Sequence, residues 1–347
     1  MKKLLGILIL ALILGACQGN AGRETLFVYN WGEYMDPDVI RLFEKEFNVR
    51  VVYDTFDSNE TMYQVLRAET TRYDVVFPSD YKIERMIGQG MLLPLNFERI
   101  PNFTYVYENL RDLPFDPENT YSVPYFWGTV GIVYDTSVVN TTVDSWGILW
   151  NPDYAGQIYM YDSQRDSLMV ALKYLGYSLN TTDMEELEAA RDLLIEQSPL
   201  VIAYVTDHVI MSMIAGNGAL AVVYSGDAAY IMSENPNMNF AIPKEGTNFW
   251  VDAMVIPANA QNPELAHEFI NFMHRPDIAE MNTRHVMYST PNTAALAAVL
   301  DEEWAQNSAY NPPQHLLDSI PLEMFRDPGD FLEIYDRIWS EVLIGAR

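Results

Sequence analysis

The chain has 347 residues, enough for two domains of ordinary size that each bury a core of their own. It carries 48 acidic and 21 basic residues, a formal net charge of -27, and such a surface repels nucleic acid and anionic lipid while it attracts small cations. Apolar residues make up 49% and charged residues 20%, proportions that are typical of a folded globular protein and exclude a disordered one.

The start of the chain has the pattern of a bacterial lipoprotein signal. A positively charged start precedes the apolar run 4–14, which is too short to span a bilayer. The letters LGAC at 14–17 then match a lipobox, in which the cysteine is lipidated and becomes the mature N-terminus. We therefore expect a signal peptide at residues 1–16 and a lipid-anchored tether at residues 17–23. Cys17 is the only cysteine, so no disulfide and no thiolate metal site are expected.

Strand and helix patterns alternate in the first third of the remaining chain. Hydrophobic periodicity predicts strands at 26–29, 49–53 and 73–77, and helices at 37–47, 59–69 and 81–88. This β-α-β-α-β-α order indicates an α/β domain with a largely parallel sheet. The last of these helices is expected to close at Gly88.

A second α/β stretch starts near Gly128. Its predicted strands are 157–161, 219–224 and 251–256, and its predicted helices are 167–175, 183–197, one from Asp227, 263–273, 276–284 and 330–344. No long Pro/Gly/Ser-rich linker separates the two stretches. Two units without one long linker suggest that the chain crosses between them several times.

Motifs for catalysis, nucleotide binding and metal binding are absent from the sequence. There is no GxxxxGK[ST], no GxGxxG after a strand, no HExxH and no GxSxG. The histidines, at 208, 267, 274, 285 and 315, do not have metal-ligand spacing. We therefore expect no catalytic residue, no cofactor and no metal.

Aromatic residues stand next to carboxylates where several predicted strands end, the place where open α/β sheets bind ligands. These segments are 29–34, 78–81, 161–166, 224–227 and 249–252. Carboxylates bind ammonium groups through charge-assisted hydrogen bonds. Trp and Tyr faces hold cations, at about 0.5–2 kcal/mol per contact, and cover methylenes, at roughly 0.8 kcal/mol each. The pattern suits a linear diamine or triamine.

The residues alone leave other functions open. A binding protein for another small cationic or neutral solute would use similar loops, whereas an anionic solute would need basic residues, and Arg165 is the one basic residue in these segments. An iron site would need paired tyrosines together with histidine, and these segments contain no histidine. A secreted glycoside-acting enzyme would use two carboxylates and aromatic sugar platforms, but no feature indicates the protonated acid that it requires.

Longer blocks of the sequence resemble one family. The opening YNWGEY at 29–34 is similar to the first loop of the spermidine/putrescine-binding proteins of polyamine ABC transporters. Further blocks match in order along nearly the whole mature chain: SNETMY (58–63), YDVVFPS (73–79), YSVPYFWG (121–128), FWVD (249–252), IPANA (256–260), INF (270–272) and STPN (289–292). The resemblance implies an α/β, bilobal periplasmic-binding-protein fold, with two α/β lobes joined by hinge strands and a ligand cleft between them.

The resemblance also implies how the chain divides. Lobe 1 would comprise residues 24–128 and 252–297, and lobe 2 residues 129–251 and 298–347. The chain would cross between the lobes near 127–129 and 250–252, and hinge motion would close the cleft.

The family's ligand contacts can be placed on this sequence one at a time. They fall on aromatic residues, acids and one serine: Trp31, Tyr34, Tyr81, Tyr224, Trp250, Tyr288, Glu33, Asp166, Asp227, Asp252 and Ser79. Two departures bear on the ligand. Ser163 stands where spermidine-preferring members carry an Asp, and the segment 224–227 resembles the WxGD form of putrescine-specific members. We therefore expect putrescine to be favoured over spermidine.

The resemblance implies a transport role and no catalysis. We expect a monomeric receptor in the periplasm that captures polyamine and delivers it to an ABC transporter permease. It would meet a membrane only through the lipid on Cys17, and it would bind no nucleic acid.

Overall fold

The computed structural model describes residues 23–69 and 71–345, so the predicted signal peptide and Cys17 lie outside the described residues. The strands are β1 (Thr25–Trp31), β2 (Arg50–Phe56), β3 (Val75–Val76), β4 (Ser122–Asp135), β5 (Ile158–Tyr161), β6 (Val201–Val205), β7 (Leu220–Tyr224), β8 (Met238–Ala241), β9 (Thr247–Val255) and β10 (Leu322–Glu323). The helices are α1 (Pro37–Phe47), α2 (Asn59–Ala68), α3 (Asp80–Gly88), α4 (Gln164–Tyr174), α5 (Met184–Gln197), α6 (His208–Ile214), α7 (Ser225–Glu234), α8 (Pro263–Met273), α9 (Pro276–Val286), α10 (Thr293–Val299), α11 (Gln314–Leu317) and α12 (Leu332–Gly345).

The first lobe is built on the parallel strands β2-β1-β3, as the alternating pattern predicted. Helix α1 begins at an Asp36 cap followed by Pro37 and ends at Asn48, whose φ of 53° is left-handed. Phe43 of this helix packs edge-on against Phe269 of α8, with 4.9 Å between ring centroids. The late segment of the chain therefore returns to the first lobe and completes its core.

Two long antiparallel strands join the lobes. One end of β4 pairs with β9 from Ser122↔Val255 to Thr129↔Phe249, beside β3 of the first lobe. The other end of β4 pairs with β7 and β8 of the second lobe. Both strands are buried along almost their whole length, because each lies inside the sheet with covered faces. The partner of β4 thus changes from β9 to β7 between Thr129 and Val130, and the predicted lobe boundaries stay a prediction.

The second lobe contains the parallel strands β7-β5-β6 flanked by the antiparallel β4 and β8. The fully buried Trp146 holds the turn before β9, since its indole N–H donates to the Gly246 carbonyl over 2.8 Å. Helix α12 packs on α4 and α5, and the buried Tyr335 hydroxyl donates to the Thr181 carbonyl over 2.7 Å. The C-terminal helix therefore belongs to this lobe.

Several predicted helix boundaries differ from the observed ones by a few residues. Helix α4 begins earlier than 167, because the Ser163 side chain caps it by accepting from the Asp166 N–H. Helix α7 begins at Ser225 instead of Asp227. Helix α3 does reach Gly88, but the left-handed residue after it is Gly90, with φ of 66°.

Within the described ranges, no helix is long and apolar enough to cross a membrane. The same residues contain no group of three or more His, Cys, Asp or Glu side chains arranged to hold a metal ion.

Asp74 links the first lobe to the segment that follows β9. Its buried carboxylate accepts from the Phe27 N–H at 2.9 Å and from the Gln261 and Asn262 N–H groups at 2.8 Å each. Asp74→Ala leaves three backbone donors without their acceptor, so the free energy of unfolding should fall by about 3 kcal/mol in urea titrations. Asp153→Ala, at an exposed position, is the control and should keep the wild-type midpoint. An unchanged midpoint for Asp74→Ala would contradict this role.

Candidate functional site

The site lies where the two crossing strands meet the ends of the lobes' parallel strands. Tyr224 ends β7, and Trp250 and Asp252 lie in β9 at the crossing. Asp166 is in the first turn of α4, directly after β5. Tyr288 follows α9, whose C-cap Met287 is left-handed and turns the chain towards the crossing strands.

Three tyrosine–aspartate pairs form the polar part of the site. In each pair a tyrosine hydroxyl donates to one carboxylate oxygen: Tyr34 to Asp252 Oδ2 at 2.8 Å, Tyr224 to Asp166 Oδ2 at 3.0 Å, and Tyr288 to Asp227 Oδ1 at 2.7 Å. Burial raises the pKa of all three tyrosines well above the usual value, so these hydroxyls keep their protons and remain donors.

The second oxygen of two of these carboxylates has no donor. Asp166 Oδ1, Asp252 Oδ1 and the Trp250 Nε1 atom are buried and lack a hydrogen-bond partner among residues 23–69 and 71–345. Leaving a buried polar atom unpaired costs about 1–3 kcal/mol, and more for a charged group. The site therefore favours a ligand that brings donors to the two carboxylates.

Burial sets the protonation of these acids. Desolvation raises the pKa of Asp252 to about 6, against the opposing effects of the neighbouring Ser79 hydroxyl and the Tyr34 hydroxyl. Desolvation also raises the pKa of Asp227 to about 7, against the hydrogen bond from Tyr288. It also raises the pKa of Asp166, against the hydrogen bonds from Ser163 and Tyr224. A cation held between these carboxyls would favour their ionised forms.

A series of aromatic rings connects the polar pairs. Ring centroids are 5.4 Å apart for Tyr34 and Tyr288, 5.5 Å for Tyr288 and Trp250, and 5.8 Å for Trp250 and Tyr224. The pairs are tilted or edge-to-face, the geometry that aromatic rings prefer. Gly128 makes room for this wall, because a Cβ there would lie 2.7 Å from Trp250 Cζ2. The result is a continuous aromatic surface with a carboxylate near each end.

The remaining predicted contacts lie at the side of this cluster or outside it. The Trp31 indole N–H donates to the Phe77 carbonyl at 2.9 Å, within the first lobe. Ser79 forms a backbone bridge with Asp252, and its hydroxyl accepts from Asn59 at 3.0 Å. Glu33 is exposed and left-handed, with φ of 54°, and the structure does not bring it to the buried carboxylates.

Tyr81 lies at the interface of the lobes. Its ring is 5.8 Å from the Arg165 guanidinium of α4, and its hydroxyl donates to Glu60 at 3.3 Å. The structure thus brings together seven predicted contacts: Tyr34, Asp166, Tyr224, Asp227, Trp250, Asp252 and Tyr288. Tyr81 and Ser79 flank them, and Trp31 supports the first-lobe side.

Two residues of the site were not predicted. Asp80 is 1% exposed and accepts from the Tyr81 and Val251 N–H groups at 2.6 and 3.2 Å, and burial together with the neighbouring Asp252 raises its pKa to about 8. Tyr161, at the end of β5, packs edge-on against Tyr224 with 5.0 Å between centroids. Both stand in the strand-end segments, but an acid in a first helical turn also suits an ordinary helix start, so Asp80 carried no distinguishing signal.

Ser163 orients Asp166. The serine hydroxyl donates to Asp166 Oδ2 at 2.7 Å and also caps α4, so Asp166 is not needed as the cap. Ser163 therefore acts on a carboxylate of the site.

Two α/β lobes joined by crossing strands, with a polar and aromatic site at the crossing, define a solute-binding protein. The chain belongs to the bacterial extracellular solute-binding protein family, whose model matches residues 38–312. The predicted fold class and family are thereby confirmed.

Several proteins of known name are similar to this chain over nearly its whole length. The chain is 36% identical to the spermidine/putrescine-binding periplasmic protein of Salmonella typhimurium over 96% of each chain. It is 31% identical to the putrescine-binding periplasmic protein PotF of Escherichia coli, over 99% of this chain and 98% of PotF. The solved structure of the spermidine/putrescine substrate-binding protein PotD from Streptococcus pneumoniae, in complex with calcium and HEPES, is 36% identical, with a TM-score of 0.81 over 93% of this chain and 100% of PotD.

Gly226 positions Tyr288. A Cβ at this position would lie 1.5 Å from Tyr288 Cδ1, so Gly226→Ala should displace the ring and break its bond to Asp227. We expect a loss of about 1–3 kcal/mol in thermal unfolding, although alanine normally stabilises a helix. Gly32→Ala, which has nothing within 4 Å of its Cβ, should change little. A Gly226→Ala protein as stable as wild type, with Tyr288 unmoved in its crystal structure, would be the contrary result.

Proposed function

We propose that the protein is the polyamine receptor of an ABC importer and binds a linear diamine in the cleft between its lobes. The observation that carries this proposal is the pair of buried carboxylates, Asp166 and Asp252. Each keeps one oxygen without a donor in the described chain, and an aromatic wall runs between them.

A diamine fits these features chemically. Each ammonium group brings three N–H donors and a positive charge to an acid that burial otherwise penalises. The methylenes between them pack on Trp250 and the neighbouring tyrosine faces, and each buried methylene contributes roughly 0.8 kcal/mol. Asp227 adds a further carboxyl group beside the Tyr288 ring, and a bound cation would favour its ionised form. An anionic ligand would meet these acids, and the basic side chains of Arg165 and Arg326 act on Asp80 at the edge of the site.

The relatives support the same class of ligand. The Salmonella and pneumococcal proteins are binding proteins for spermidine and putrescine, and PotF is a binding protein for putrescine. We place putrescine ahead of spermidine because Ser163 offers a hydroxyl to Asp166 in place of a further acid. Asp227 then supplies an acid on the side of Tyr288.

The wider role follows from this proposal. The protein acts as a monomer in the periplasm, tied to a bacterial membrane by lipid on Cys17, and delivers its ligand to a permease without catalysing a reaction. We propose that the lobes comprise residues 24–128 with 252–297 and 129–251 with 298–347. Trp31, Ser79 and Tyr81 complete the cleft, and Glu33 lies at its exposed rim.

Isothermal titration of the chain from residue 18 onward tests the proposal, after unfolding and refolding to strip any carried ligand. We expect tight binding of putrescine and weaker binding of spermidine and cadaverine. Asp252→Asn should weaken putrescine binding by about 100-fold or more, because it removes one charged partner of a buried pair. Asp57→Asn, an exposed acid at the end of β2, is the matched control and should bind as wild type does.

The contrary outcomes separate the parts of the proposal. A preference for spermidine would keep the polyamine class and overturn the argument from Ser163 and Asp227. Full affinity in Asp252→Asn would remove the carboxylate mechanism. If no polyamine gives either binding heat or a thermal shift, the proposed class of ligand is refuted.

A further inference from the structure

A short C-terminal segment, the arm (residues 322–327), is fixed to the second lobe. Strand β10 within it pairs with the second-lobe end of β9, and Lys173 of α4 forms an ion pair with Glu323. The Asn180 side chain donates to the Met324 carbonyl and accepts from the Arg326 N–H, at 2.8 Å each. The arm therefore moves with the second lobe.

The tip of the arm contacts helix α3 of the first lobe. The Arg326 guanidinium forms a bidentate ion pair with Glu84, with Nε 3.1 and 3.0 Å from the two carboxylate oxygens. The Asp327 N–H donates to the same carboxylate at 2.9 Å, and the Asp327 side chain accepts from Arg85 at 3.4 Å. These ion pairs connect the lobes at side chains that are partly exposed.

A buried arginine of the second lobe contacts the arm. Arg165 is 6% exposed, lies 4.4 Å from the Phe325 ring and donates to the Arg326 carbonyl at 3.3 Å. On its other side it faces the Tyr81 ring of the first lobe. Glu84 of α3 thus pairs with an arginine of the second lobe, in a chain where acids outnumber bases 48 to 21.

We propose that the arm is an interlobe latch: the ion pairs of Glu84 with Arg326 and of Arg85 with Asp327 stabilise the closed arrangement of the lobes whether or not a ligand is bound. The side chains of the latch pair with one another across the interface, so they act on affinity through closure. If the closed form binds ligand, the apparent dissociation constant is the intrinsic constant divided by the closed fraction. The latch therefore scales the affinity for every ligand by the same factor and leaves selectivity unchanged.

The expected effect is modest because the pairs are partly exposed. A partly exposed ion pair shifts an equilibrium by up to about fivefold, and salt weakens it. The bidentate geometry and the backbone bond to Glu84 place this pair at the upper end of that range. Glu84→Gln and Arg326→Gln each remove the same ion pair. The protein with both substitutions should therefore have the same closed fraction as either single variant.

Single-molecule energy transfer measures closure directly. Dyes on Lys45→Cys in α1 and Glu188→Cys in α5, both exposed, report the distance between the lobes. Cys17→Ser leaves no other cysteine in the chain. Glu84→Gln and Arg326→Gln should each lower the closed fraction of the ligand-free protein by about two- to fivefold, and 0.5 M salt should do the same to wild type. Glu46→Gln, which breaks the bidentate pair with Arg275 inside the first lobe, is the control and should have no effect on closure.

Titration of the same variants completes the test. The affinities for putrescine and for spermidine should fall by the same two- to fivefold factor in Glu84→Gln. The double variant with the exchanged charges, Glu84→Arg with Arg326→Glu, should recover part of this loss. The latch is overturned if the ligand-free closed fraction of Glu84→Gln equals that of wild type, or if the two ligands weaken unequally. If no polyamine binds wild type, the proposed function fails, whereas the energy-transfer result still decides the latch.

Discussion

The burial of carboxylates at the lobe crossing is the constraint on which the rest of the site depends. Asp166 and Asp252 lie where water is largely excluded, and each receives one tyrosine hydroxyl but no cation from the described chain. Protein folding alone gives no reason to place these acids together, since unpaired buried charges destabilise a fold. Under the proposed function, a positive ligand would neutralise these acids, and closure of the cleft would then depend on the charge of the ligand.

The tyrosines adapt the site to this task. Their hydroxyls hold one oxygen of each carboxylate in place, and their rings form the apolar wall, while Oδ1 of Asp166 and of Asp252 has no donor among the described residues. One residue type thus supplies orientation and packing together. The glycines at 128 and 226 allow Trp250 and Tyr288 to approach the backbone closely, so the shape of the wall depends on residues that contribute no side chain.

Much of the fold and of the site could be predicted from the sequence, because periodicity and strand-end motifs are local signals. The first-lobe strands and helices fall where the alternating pattern placed them, and helix α5 (Met184–Gln197) matches the predicted helix at 183–197 within one residue. Strand β4 was missed as one element because it passes through both lobes, and its pairing with β9 and β7 is set by tertiary structure. For the same reason Asp80 could not be recognised, since its burial arises from β9, about 170 residues further along the chain.

The crystal structure of the refolded protein with putrescine tests the central claim most directly. The account predicts an ammonium nitrogen about 3 Å from Asp252 Oδ1, a second ammonium hydrogen-bonded to Asp166 or Asp227, and methylenes lying on Trp250. A diamine located outside the aromatic wall, with the Oδ1 atoms of Asp166 and Asp252 bonded only within the protein, would contradict it.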